Sequence, residues 1–146
     1  PPPVSISDDV KDTIRGALAS VNHPVTLHLL EGGKGETAGR ETRTLLEFMA
    51  EASPMISLAG YSLEDPASGR NFGSSLDVSH GPAIRIQGEE RGPFYFFGLP
   101  ERKELGPFLE GIALASGMPE NLAPEIETFL AGLGQEVLIR IFTTPD

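Results

Sequence analysis

The segment from Glu125 to Phe142 restates the segment from Asp12 to Leu30, and this internal repeat limits the architecture more than any other feature. Each copy reads as an amphipathic helix feeding a strand after a short turn. Val25, Leu27 and Leu29 correspond to Val137, Ile139 and Ile141. A second structural unit therefore starts near residue 120, and the sequence reaches only its first helix and strand. The expected organisation is one unit over residues 1–118 and the start of another over 119–146.

With 39% hydrophobic residues, the chain has enough apolar material for one compact unit of this length. Its formal charge of −10 and its scattered basic residues repel phosphates, which argues against nucleic acid as a partner. No apolar run approaches the ~20 residues that span a bilayer, and no basic-then-apolar leader opens the sequence. The expectation is a cytoplasmic protein that does not engage membranes. Cysteine is absent, which removes disulfides, thiolate nucleophiles and sulfur-based metal sites.

Local pattern supplies the elements. Ser7 precedes Asp8 and Asp9 as a helix cap with acids in the first turn, and Val10, Ile14, Ala17, Leu18 and Val21 share one helical face. Val25, Leu27 and Leu29 then alternate as a strand, which the glycine-rich stretch 31–35 ends. Leu45, Phe48, Met49 and Ala52 make the apolar stripe of a second helix, stopped by Pro54. A strand over Met55 to Leu63 follows, with Ile56, Leu58 and Tyr61 in a mixed run, then a loop over 64–75 with room for a short helix before Leu76 and Val78. The segments 83–87 and 93–97 predict an antiparallel hairpin, and Leu105, Phe108, Leu109 and Ile112 predict a third helix with Pro107 in its first turn. The expected fold class is α/β, with a mixed four-stranded sheet flanked by helices on both faces.

The residues Pro24-Val25-Thr26-Leu27, His80-Gly81-Pro82-Ala83-Ile84 and Tyr95-Phe96-Phe97-Gly98-Leu99-Pro100 carry a resemblance. They are similar to the first half of tandem thioredoxin-like proteins: the glutaredoxin-like protein disulfide oxidoreductases and the N-terminal domain of the alkyl hydroperoxide reductase flavoprotein subunit. The resemblance covers about residues 7–145 and implies a thioredoxin-like fold. In that family a Cys-x-x-Cys motif opens the helix after the first strand, where the helix N-terminus favours the thiolate. The corresponding positions are Glu36, Thr37, Ala38 and Gly39, without sulfur. Thiol exchange proceeds through a thiolate, so this unit does not perform it. A second motif is implied beyond Asp146, so the sequence is expected to be part of a longer redox protein. The implied partners are the second unit of that protein and a thiol or disulfide protein. A homodimer stays open, and no cofactor is implied for this chain.

The resemblance also implies a cis peptide at Pro82 and makes His80, Gly81 and Pro82 a candidate peptide-binding loop. Two functions result. One is a redox-silent half that scaffolds or docks an active unit; the alternative is a stand-alone peptide or protein interaction module. His23, His28 and His80 lack the spacing of a metal site, and Gly32-Gly33-Lys34-Gly35 lacks the phosphate-loop pattern, so no metal is expected. Glu89, Glu90, Glu101 and Glu104 fall in a turn and at a helix start, where solvated charge is the ordinary outcome. Phe94, Tyr95, Phe96 and Phe97 place aromatic rings on both faces of one strand.

Overall fold

The computed structural model describes residues 5–32, 36–67, 72, 81–118 and 122–135. Helix α1 spans Asp8–Leu18; the Ser7 side chain accepts from the Val10 N–H at 3.3 Å, and Asp8 and Asp9 occupy the positive end of the helix dipole. Its face of Ile14 and Leu18 is buried, with Val10 and Ala17 packed beside it. Strand β1, Val25–Glu31, runs from there into α2, Glu36–Ala52. Strand β2, Ile56–Ser62, returns parallel to β1 with Val25 opposite Ile56. Strand β3, Ala83–Gly88, is antiparallel to β1, and β4, Phe94–Phe97, is antiparallel to β3. The sheet order is β2-β1-β3-β4, the mixed four-stranded arrangement expected from the sequence.

Alternation along β1 divides the interior. Val25, Leu27 and Leu29 face a core that also takes Leu45, Leu46 and Met49 of α2, Ile84 and Ile86 of β3, and Phe108 and Ile112 of α3, which spans Leu105–Ala115. Thus α1, α2 and α3 share one core. Leu30 and Ala83 lie on the opposite face with Phe72, whose ring meets Tyr61 and Tyr95 edge-on at 5.7 and 6.1 Å. The expected short helix before Leu76 and Val78 lies outside the described residues.

Two details differ from expectation. The buried stripe of α2 runs through Thr42, Leu46 and Met49 and continues at the buried Ser53, so Ala52 is exposed. The i, i+3, i+4 pattern drifts around a helix of 17 residues, which carries its last turn off the stripe. Phe48 is only partly buried; Lys11 and Arg15 of α1 lie over its ring at 5.7 and 5.2 Å, an arrangement that covers an apolar face with cations.

Where α3 meets the sheet, a Cβ on Gly88 would stand 1.9 Å from the Ala115 carbonyl, so the close approach of helix end to strand end requires glycine. A 3₁₀ turn at Arg102–Glu104 leads into α3, and Pro107 sits in its first turn as expected. The last described helix, α4, spans Pro124–Ala131 and has no buried residue. The strand expected at Val137, Ile139 and Ile141 lies outside the described residues.

Candidate functional site

Chemistry in such a sheet gathers at the carboxyl ends of β1 and β2, where α2 begins. Glu36 to Gly39 form the first turn of α2, so these residues stand at the positive end of a long helix. Glu36 and Thr37 are exposed, Ala38 is half-buried and Gly39 is buried. Beneath Gly39 lies the last residue of β1: a Cβ on Gly39 would come within 3.6–3.7 Å of the Glu31 side chain.

Glu31 is the most closely paired charge of the site. Both Nε and Nη2 of Arg43 lie 2.6 Å from Glu31 Oε1, and the Glu31 side chain keeps 17% of its surface accessible. Charge-assisted bonds of this kind neutralise a carboxylate that β1 would otherwise leave facing α2. Arg40 and Glu36 form a looser, exposed pair at 3.5 Å. An open pocket of about 210 Å³ lies between these groups and the end of β2, bounded by Tyr61 and Glu64.

The proline loop packs on the same end of β1. The Gly81-Pro82 peptide bond is cis, the conformation the resemblance implies. Both residues are buried. The Gly81 N–H donates to the Gly32 carbonyl at 3.2 Å, and the Pro82 carbonyl accepts from the Gly98 N–H at 2.9 Å. A Cβ on Gly81 would stand 2.7 Å from the Leu30 carbonyl, so the loop is seated directly on β1. An extended peptide docks through backbone donors and acceptors, and these two groups are already engaged inside the protein. His80 lies outside the described residues.

The remaining histidines are apart from this end. His23 is exposed in the turn before β1. His28 lies on the second face of the sheet, its Nδ1 2.8 Å from the Tyr61 hydroxyl and its Cα opposite that of Arg85. Burial first, and the Arg85 guanidinium second, hold its imidazole below the ordinary value. Arg85 in turn donates to the Phe72 carbonyl and lies over the Phe72 ring. Among the described residues no three His, Asp or Glu side chains are grouped to hold a metal ion.

Sequence inspection missed the Glu31–Arg43 and His28–Tyr61 pairs. The first joins residues across the β1–α2 connection, and the second depends on the parallel register of β1 and β2. The alternation that places His28 on a face was visible; its partner was not.

No family model matches the sequence, and no curated protein does. Solved structures share the fold. A C503A mutant of the alkylhydroperoxide reductase AhpF from Enterococcus faecalis (V583) superposes with a TM-score of 0.68 at 16% identity, over 88% of this chain and 61% of that one. A protein disulfide oxidoreductase from Aeropyrum pernix K1 gives 0.69 at 22% identity, over 88% and 56%. The NTD_N/C domain of the same Enterococcus faecalis reductase gives 0.65 at 15%, over 85% and 59%. The chain has the thioredoxin-like fold of these proteins and spans roughly three-fifths of their length. Among its described residues no helix is long and apolar enough to cross a membrane.

Proposed function

We propose that the chain is the redox-silent, thioredoxin-like part of a longer tandem protein, where it scaffolds or docks a thiol-disulfide active unit. The surface of α4 is the observation that carries this reading. The spacing that sets Val137 against Val25 also sets Leu122, Ile126, Phe129, Leu130 and Leu133 against Val10, Ile14, Ala17, Leu18 and Val21. The earlier set is the core-facing stripe of α1 and its turn. The later set is exposed, Phe129 at 69% and Ile126 at 49%. A stripe that repeats a core-facing one is suited to lie against a second sheet, so α4 is read as the first helix of a second unit.

The first turn of α2 supplies the other half of the reading. It stands where a dithiol would act, yet Glu36 and Gly39 cannot form a mixed disulfide. Exchange in the whole protein then belongs to cysteines outside this sequence. A peptide-binding role at Gly81 and Pro82 is the weaker reading, because both residues are buried and their backbone bonds are internal. A cytoplasmic setting is part of the same proposal, and cell fractionation tests it.

The deciding experiment is the intact mass of the natural product from its source, before and after reduction and thiol alkylation. The expected species is well above 15.6 kDa and gains at least a pair of alkyl groups. A mature product of 146 residues without alkylation would move the assignment to an interaction module.

A further inference from the structure

With no cysteine in the chain, its three methionines carry all of its sulfur. They are not equivalent. Met49 is fully buried in the main core, Met55 is packed beside that core, and Met118 keeps 38% of its surface exposed. Access of an oxidant to a thioether therefore singles out Met118.

The fold holds this sulfur in a set place. After α3 the chain closes in a Schellman motif: Gly117 has φ +102°, its N–H donates to the Leu114 carbonyl at 3.0 Å, and the Met118 N–H donates to the Ala113 carbonyl at 3.2 Å. Nη1 of Arg91, from the turn before β4, donates to the Met118 carbonyl at 2.6 Å. With its backbone tied on both sides, Met118 rests its side chain against the turn that follows α1, where Sδ lies 3.8 Å from the Ser20 hydroxyl. The same hydroxyl is 3.1 Å from the Ala17 carbonyl. A serine hydroxyl has one proton to give, and a thioether is a weak acceptor beside an amide oxygen. In the unmodified chain that proton goes to Ala17.

We infer that Met118 is a modification site for hydroperoxides, and that its sulfoxide takes the Ser20 hydroxyl proton from Ala17 and so latches the end of α3 to the end of α1. A sulfur lone pair attacks the terminal peroxide oxygen, and the O–O bond breaks as the S–O bond forms. The leaving alkoxide takes the proton which that oxygen carried. The thioether is thereby oxidised by two electrons to a sulfoxide, and the hydroperoxide is reduced to an alcohol, or to water where hydrogen peroxide is the oxidant. Oxidation turns a flexible apolar side chain into a polar one with a strong acceptor beside Ser20. Ser20 is exposed, so water takes its place at the Ala17 carbonyl. The site is independent of the redox reading, since it uses neither the first turn of α2 nor the face of α4.

The test treats the full chain with graded hydrogen peroxide and maps the added oxygen by intact and fragment mass. With cysteine and tryptophan both absent, each added oxygen counts one methionine. The first oxygen should fall on Met118, at least about tenfold faster than on Met49. Amide exchange at Gly117 and Met118 should then slow about two- to five-fold, as one added hydrogen bond at an exposed position allows. In Ser20→Ala, Met118 should still be oxidised, but without that slowing. Oxygen arriving at Met49 or Met55 as fast as at Met118 would overturn the site. Unchanged exchange on oxidation, or equal slowing in Ser20→Ala, would overturn the latch. Mapping and exchange on the unaltered chain stand even if Ser20→Ala perturbs folding.

Discussion

Glu31 and Gly39 show at single-residue scale how the first turn of α2 is seated on the end of β1. Gly39 stands in the first turn of α2 over the Glu31 side chain, with ordinary van der Waals room for a Cβ. Glu36→Cys combined with Gly39→Cys should therefore be tolerated and should close a disulfide under mild oxidation. In the reduced form the residue-36 thiol should titrate below the ordinary value of about 8.5, because it sits at a helix N-terminus. Alkylation counts and thiolate absorbance across pH check both points; thiols that stay free under oxidation would contradict the placement. His28 gives a second residue-level expectation. Its folded pKa lies below the unfolded value of about 6.5. As pH falls below that value the unfolded chain binds the proton more readily, so the His28 contribution is intact above about 6.5 and is lost on acidification toward the folded pKa. The urea midpoint should fall over that window, and His28→Gln should flatten the fall.

Elements differ in how much of their sequence pattern is used inside this unit. Leu46 of α2 is completely buried, and Leu46→Ala should cost about 2–5 kcal/mol, read from denaturant unfolding. The pair Ile126→Gln and Phe129→Gln in α4 should change the same transition by no more than about 0.5 kcal/mol, since both positions are exposed. In the longer protein proposed above the same pair should lower stability measurably; an unchanged midpoint there would overturn the proposed docking role of α4. Helix starts, apolar stripes and the β3–β4 hairpin were legible because they depend on neighbours a few residues apart. The burial of Leu46 and the exposure of Ala52 were harder to read, because they depend on where the rotating face of α2 meets the sheet.

At the scale of the molecule, the described residues form a sheet with one main core shared by α1, α2 and α3, followed by a helix whose apolar face is exposed among them. Hydrogen exchange should reflect that arrangement. Amides of Leu27 and Leu29, in a strand paired on both sides and buried, should open only with the global transition, and amides of α4 should exchange through local opening. Protection in α4 equal to that of β1 would show that its face is covered after all. The order of residues was enough to establish that this chain has no cysteine chemistry and to place the helices and strands that the described residues form, because composition and periodicity are local properties. It took the folded arrangement to reveal that Arg43 closes on Glu31, that His28 meets Tyr61, and that Gly81 and Pro82 are buried against β1. Those contacts depend on strand register and on the docking of α2 and the proline loop, which bring together side chains that no local repeat relates.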